Sequence, residues 1–386
     1  MISVDEALSH VLALAAPLDI ETIPLKDAAG RVLAQDIVAR RDQPPFPASV
    51  MDGYAVAGEH PTYRVVGEAA AGHAFDGVLE DGEAVRIFTG APIPDNATRV
   101  IIQEDVDRED DRMSVKPNAD PNRYIRDKGM DFSVGDRIQA PCHLTATKLA
   151  LCASMNVPDV RVYKRPVVAV IATGDELVMP GEAPSKDQII ASNSFGLAAM
   201  LGNEGADARM LPIARDTEAS LEAVLKHTEG ADLIVTIGGA SVGDHDLVGQ
   251  VAAKMGLERA FYKIAMRPGK PLMAGRLGKI PMIGLPGNPV SSMVCGHVFL
   301  RPMLRSMQGL PKAPLPTKAA PLAAPVGPNG PREHFMRGLL SDGEITIFER
   351  QDSSLLSVLA AANVLVIRPK FDAALEAGTK VAFIEF

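Results

Sequence analysis

The chain has no tryptophan, and aromatic residues make up only 4% of it. A binder of single-stranded nucleic acid needs flat side chains on which bases can stack, so that class has little to work with here. Positive charge is also short: 39 lysines and arginines face 48 aspartates and glutamates, leaving a net charge of −9. That balance argues against nucleic acid or an anionic membrane as the main partner. Cysteine is scarce, and Cys142, Cys152 and Cys295 are far apart and odd in number. They form no CxxC pair and no Cys/His cluster with zinc spacing, so each reads as a buried thiol in a reducing compartment. Apolar runs are short and broken by glycine turns, so none is expected to span a bilayer. Asp5 and Glu6 stand where a signal peptide would carry basic residues. A soluble, cytoplasmic protein is expected.

What is present suffices for several cores. Hydrophobic residues are 47% and charged residues 23% of 386, which at roughly 100–200 residues per domain predicts about two to four domains. Ser3 and Glu6 have capping-box spacing, and Val4, Ala7, Leu8, Val11, Leu12 and Ala15 follow the helical period. A second short helix is expected around residues 28–34. Pro44, Pro45 and Pro47 make an extended boundary. Short strands separated by turn residues follow from Thr62 to Lys116. A further helix starts at Thr145 and is expected to pack against the first. From Arg165 strands and helices alternate, the signature of an open, mainly parallel α/β sheet. Pro311, Pro314, Pro316, Pro321, Pro325 and Pro328 mark another boundary, and short strands fill the remainder.

The predicted fold is therefore a multidomain α/β plus β protein. Its N-terminal helical and linker domain comprises residues 1–44 and 121–163. A β-rich domain, 45–120, is inserted into it. The α/β domain covers 164–308, and a C-terminal β-barrel domain covers 312–386.

The α/β region centres on DLIVTIGGASVGDHD, residues 232–246. A buried strand runs into a glycine-rich turn, and a helix follows. Such turns hold anions, because glycine lets the backbone approach and helix-start N–H groups point at the ligand. An ordinary turn with a capping aspartate has the same local appearance. Two further strands end in TGDEL (173–177) and LPGNPVS (285–291). If the three strands are neighbours, their turns share the carboxyl edge of the sheet, where α/β proteins bind ligands. Lys263, Arg267 and Lys270 add a basic run around a Pro-Gly turn, suited to phosphate or another oxyanion. Carboxylates at Asp175, Glu176, Asp216, Asp244 and Asp246 suit a hard cation such as Mg²⁺. Together these groups predict a phosphorylated ligand and chemistry at phosphorus. There is no P-loop lysine, no G-x-S-x-G and no GxGxxG after a first strand.

MDGYA (51–55), TGA (89–91), TGDEL, GGASVGDHD (238–246), RPGKP (267–271) and LPGNPVS occur in that order. Through them the chain resembles the MoeA family of molybdenum-inserting transferases, which includes the C-terminal domain of gephyrin. The resemblance runs through all 386 residues. It implies a homodimer whose active cleft is shared between subunits, and adenylylated molybdopterin and molybdate as substrates. Hydrolysis of the adenylate would release AMP and leave molybdenum on molybdopterin, with Mg²⁺ as cofactor. It implies catalytic roles for Asp52, Thr89, Asp131, Glu176, Asp216 and Asp246, with Glu176 and Asp246 on the metal. Substrate contacts would come from Gly238, Gly239, Ser241, Gly243 and Asp244, from Lys263, Arg267 and Lys270, and from Pro286, Gly287, Asn288, Pro289 and Ser291. The upstream adenylyltransferase and recipient molybdoenzymes are further expected partners. Met130 stands where the family usually has Glu, and Arg267 where Lys is common. A paralogue that only binds molybdopterin or acts as a scaffold is the alternative.

Overall fold

Ser3 and Glu6 satisfy each other's backbone N–H groups at 3.1 and 3.2 Å, which starts the first helix, α1 (Val4–Leu14). The computed structural model describes residues 1–239 and 247–386. The chain divides into two compact units, one of Met1–Glu21, Gly30–Val32 and Val162–Phe386, the other of Thr22–Ala29 and Leu33–Arg161.

The second unit is β-rich. Six strands, β1 (Gly53–Val56), β2 (Thr62–Ala69), β3 (Glu83–Ile87), β4 (Arg99–Ile102), β5 (Val106–Glu109) and β6 (Arg112–Val115), form one sheet in the order β4-β1-β3-β2-β6-β5. The pairing of β2 with β3 is parallel, and β1 lies antiparallel between β3 and β4. Gly53 is required in β1, because a Cβ there would strike the backbone of Ile101. Helix α2 (Ala146–Ser154) is capped by Thr145, as its sequence predicts. The expected helix at 28–34 is absent. Residues Leu25–Asp27 form one 3-10 turn, Gly30 turns the chain at a φ of 71°, and Val32–Leu33 is extended. Val32 is β-branched and favours the extended chain, and the glycine interrupts the helical period before one turn is complete.

The first unit contains the alternating region. Its strands are β7 (Val167–Ala172), β8 (Asp207–Met210), β9 (Leu233–Ile237), β10 (Leu257–Lys263), β11 (Pro271–Leu277) and β12 (Ile280–Leu285). The sheet order is β8-β7-β9-β12-β11-β10. The first three pairings are parallel, and the last two are antiparallel. Its strands are apolar on both faces because both are covered. On one face Val168, Val170, Leu233, Val235 and Ile283 pack with α3 (Asn193–Asn203) and with the 289–307 helix. On the other, Ile171, Ile234 and Met282 pack with α4 (Glu218–Lys226) and α5 (Leu247–Lys254). The apolar side of α1, from Val4 to Ala15, joins the first of these cores rather than pairing with α2 as expected. The 289–307 helix is not regular throughout. Between α6 (Pro289–Cys295) and α7 (Arg301–Met307), residues Gly296–Leu300 wind as a π-helix.

The C-terminal strands β13 (Lys318–Pro321), β14 (Glu333–Ser341), β15 (Glu344–Ile347), β16 (Val364–Arg368) and β17 (Lys380–Glu385) form a sheet. Its order is β14-β16-β17-β13, with β15 on the free side of β14, where Met266–Arg267 also pairs in parallel. A parallel bridge between Leu322 and Ile345 joins the β13 side to β15. Strand β13 lies within the proline-rich boundary that sequence reading left without structure. A short helix, α8 (Leu356–Ala360), was also not expected.

Two of the three cysteines, Cys152 and Cys295, are buried as predicted, whereas Cys142 is only half-buried; all are free thiols. Burial alone raises the Cys295 thiol far above its ordinary range. Among the described residues no helix is long and apolar enough to cross a membrane.

Candidate active site

Strands β7, β9 and β12 are consecutive neighbours and parallel. Their carboxyl ends therefore lie side by side, and the turns that follow are stitched together by backbone hydrogen bonds. Thr173 N–H donates to Ile237 O at 2.9 Å, and Gly238 N–H donates to Leu285 O at 3.1 Å. Gly174 N–H donates to Ala214 O at 3.0 Å, which brings in the turn after β8. The Asn193 side chain donates to Gly287 O at 2.7 Å and ties the start of α3 to the LPGNP turn. Close approach dictates the residue types. Gly238 and Gly239 have φ of 92° and 64°; a Cβ on the first would meet Thr173 O, and on the second Val248.

The turns line a cavity of about 880 Å³, the size of a small-molecule or cofactor site. Of the candidate residues named from the sequence, Glu176, Asp216, Gly238, Gly239, Pro286, Gly287, Asn288 and Pro289 line it, together with Asn193 and Ser354, which were not among them. An apolar wall comes from Ile189, Ile190 and Leu247. Ser291 is buried two residues beyond the lining residue Pro289. Ser241, Gly243, Asp244 and Asp246 lie outside the described residues.

The basic run sits on the antiparallel side of the sheet. Lys263 pairs in register with Pro271, which lines the cavity, and Lys270 O accepts from Ile264 N–H. Lys263 Nζ lies 5.6 Å from the Tyr262 ring centroid. Arg267 is in register with His334 of β14, and this pairing leads to a group that sequence reasoning missed. Arg337 is fully buried, yet its Nε and one terminal nitrogen have no hydrogen-bond partner. The other terminal nitrogen donates to Asp352 O at 3.0 Å. His334, three positions before Arg337 on the same regular strand and so on its other face, is also buried, with Nε2 unpartnered. Burial, and then the charge of Arg267, pushes the Arg337 guanidinium down to about 10. Burial first, followed by Arg267, Arg337, Arg332 and Arg368, pushes the His334 imidazole down to about 4. Unpaired buried donors are costly and rare, and clustered cations make the place attractive to an oxyanion. The 352–354 turn connects this group to the cavity: Asn288 Nδ2 donates to Ser353 Oγ at 3.2 Å, and Ser354 is in the cavity lining. No signal in FMRGLL marks Arg337, since an arginine in a short strand ordinarily faces water.

Asp52, Thr89 and Asp131 belong to the other compact unit. Asp52 Oδ1 accepts from Thr89 N–H at 2.8 Å and from Thr89 Oγ1 at 2.9 Å. These two bonds hold the Asp52 carboxyl below its usual range, with a smaller contribution from the charge of Arg86. Arg86 donates to Gly53 O at 2.9 Å and lies over the Tyr54 and Phe88 rings. Asp131 is exposed, and its N–H donates to Gln43 O at 2.9 Å.

Three family models match in order along the chain. They are the MoeA N-terminal region (domain I and II) at 2–156, a probable molybdopterin binding domain at 169–306, and the MoeA C-terminal region (domain IV) at 319–386. Molybdopterin molybdenumtransferase 2 of Mycobacterium tuberculosis is 36% identical, over 93% of this chain and 93% of its own. Molybdopterin molybdenumtransferase of Haemophilus influenzae is 34% identical, over 100% and 99%. Among solved structures, a molybdopterin biosynthesis MoeA protein from Pyrococcus horikosii aligns over 100% of this chain and 99% of its own, with a TM-score of 0.82 and 29% identity. With its strand-end cavity and all three regions matched, the chain belongs to the MoeA family of molybdopterin molybdenumtransferases.

Proposed function

We propose that this chain acts in molybdenum cofactor biosynthesis, inserting molybdate into adenylylated molybdopterin with release of AMP. The observation that carries this is the junction of two environments. A cavity with carboxylates and glycine turns adjoins a buried basic group with unfilled donors. The first suits a phosphorylated ligand undergoing hydrolysis, and the second suits a tetrahedral oxyanion.

In this reading the Gly238-Gly239 turn and the LPGNP turn cradle the phosphate region of the substrate. Lys263, Arg267 and Lys270 offset its charge, which lowers the barrier to attack at phosphorus. Glu176 and Asp216 hold the attacking water and take its proton as the bond to the adenylate phosphorus forms. The bond to the molybdopterin phosphate then breaks, and AMP leaves. Molybdate, the second substrate, is held by Arg267 and Arg337. Ser241, Gly243, Asp244, Asn288 and Ser291 complete the substrate contacts.

The donor set also fits Mg²⁺, which takes one or two carboxylates together with substrate phosphate. Glu176 lines the cavity as a hard oxygen donor, and Asp246 is the second proposed ligand. The ion would supply charge neutralisation at the phosphates. We further propose a homodimer in which Asp52, Thr89 and Asp131 complete the cleft of the partner subunit. The division of the chain into four domains, the last a β-barrel, belongs to the same reading. So do a cytoplasmic location, hand-over from the adenylyltransferase and delivery to molybdoenzymes. The scaffold alternative is not favoured, since the curated relatives are named as transferases.

The test is incubation with adenylylated molybdopterin, molybdate and Mg²⁺. AMP release and Mo-molybdopterin formation are expected. Bound but intact adenylate would overturn the assignment.

A further inference from the structure

Arg215 lies between the predicted carboxylates without being one of them, and it stands at an exposed position. An exposed arginine is ordinarily solvated. This one is engaged. One terminal nitrogen of its guanidinium reaches Gly174 O at 3.3 Å, Asp175 O at 3.1 Å and Leu177 O at 3.0 Å. Among the described residues it forms no ion pair, so its charge is directed at backbone carbonyls. The fourth carbonyl of the turn, that of Glu176, accepts from Ile189 N–H at 2.7 Å. Every carbonyl from 174 to 177 therefore lies within reach of a donor, and the two hydrogens on one Arg215 nitrogen are shared among three of them.

The turn it grips dictates where Glu176 points. Gly174 has a φ of 148°, and a Cβ there would collide with the Glu176 carboxylate, which folds back over it. The next residue adds a second connection: Asp216 N–H donates to Asp175 Oδ1 at 3.1 Å. The base of the brace is fixed in turn. Arg215 N–H donates to Ser220 Oγ at 2.9 Å, and Thr217 caps the start of α4. The loops bearing Glu176 and Asp216 are thus interlocked by two cross-links, one from a side chain and one from the backbone, both donated by the 215–216 dipeptide.

We propose that Arg215 is a positioning residue for the reaction, holding the Glu176 and Asp216 carboxylates in one fixed arrangement across the cavity. This rests on the reading that those two carboxylates face the reacting phosphate. A single cationic nitrogen set among three carbonyl dipoles suits the task, and an ammonium at the same place could serve it too. A displacement of catalytic groups on the order of 1 Å can cost about a hundredfold in rate.

The experiment compares the wild type with Arg215→Met and Arg215→Lys. Single-turnover AMP release, substrate affinity without molybdate, and amide hydrogen exchange at Gly174, Asp216 and Ile189 are measured for each. Arg215→Met is expected to slow turnover about 10–100-fold, within the range set by misplacement. Affinity should change less than about threefold, the size of a single exposed contact. Exchange at the three amides should speed up at least tenfold, and Arg215→Lys should recover most of the rate and protection. Unchanged turnover and exchange in Arg215→Met would overturn the proposal. So would Arg215→Lys failing as badly as Arg215→Met with an equal loss of thermal stability, which marks a purely structural role. If the wild type releases no AMP, the functional reading fails, while the exchange arm still decides whether Arg215 orders both loops.

Discussion

The Asp52 loop and the Glu176 loop hold their acids in opposite ways. Asp52 is gripped directly: both the N–H and the hydroxyl of Thr89 donate to its Oδ1. Glu176 is placed indirectly, by a turn whose carbonyls are all occupied from outside. A carboxylate that spends its lone pairs on two donors is held ionised and fixed in angle. One whose backbone is held keeps its oxygens available for water, a proton or a metal ion. In the proposed function this difference gives orientation to the Asp52 side and chemistry to the Glu176 side.

Substitutions can break this contrast. The largest effect is expected at Glu176. Glu176→Gln should cut single-turnover AMP release by about 10²–10⁴-fold, the range of a lost general acid or base, while the protein stays folded. A loss smaller than tenfold would move the chemistry elsewhere. Next comes Arg337→Met. The molybdate concentration for half-maximal AMP release should rise about 10–100-fold, matching a lost charge-assisted hydrogen bond of about 1.5–3 kcal/mol. Thermal stability should hold or increase, since methionine removes a buried charge with unsatisfied donors. An unchanged molybdate requirement in a stable variant would exclude Arg337 from that subsite. On the other side of the contrast, Asp52→Asn and Thr89→Val should each reduce kcat/KM about tenfold. Combined, they should lose little more than either alone, because the two residues act as one unit. Full additivity in the double mutant would show that they work separately.

The smallest effect concerns pH. His334 and His297 are both buried, and both are held below the ordinary histidine value, at about 4 and about 3. For His297 the cause is burial first and then Arg301. Below pH 6.5 the unfolded chain binds protons that the folded chain refuses. Stability is therefore full above about 6.5 and falls as pH drops toward those values. Each histidine contributes a slope of up to about 1.4 kcal/mol per pH unit. Urea unfolding between pH 6.5 and 5 measures it, and His334→Gln should remove its share. A flat profile in the wild type would mean that neither imidazole is buried in solution.

The same contrast explains what could be read without a structure. The cavity turns were legible because close backbone approach demands glycine and proline, and those residues cluster visibly at 173–177 and 285–289. Strand and helix alternation predicted a mainly parallel sheet, whereas the adjacency of β7, β9 and β12 was only a condition of the reading and comes from the sheet order. Arg337 was not legible. Its role comes from parallel pairing between residues 266–267 and 333–334, a contact across a long chain separation that no local pattern encodes. The packing of α1 was missed for the same reason: its periodicity shows that one face is buried, but not against what. The false helix at 28–34 arose from a few apolar residues at helical spacing, which Gly30 overrides by reversing the chain.

The π-helical turn at Gly296–Leu300 has a consequence for the cavity. Where the turn is an α-helix, removing one residue rotates everything beyond it by about 100°. A π-turn carries about one extra residue and so absorbs that rotation. The 289–307 helix is therefore two helices in different phase. Downstream, Met303, Leu304 and Met307 are keyed to the core, and upstream, Pro289 lines the cavity. Residues 296–300 act as the phase adapter between them. A one-residue deletion within residues 296–300 is then taken up by the π-turn and leaves both flanks in phase, whereas the same deletion within α6 would rotate Pro289 away from the cavity and Val290 away from the core.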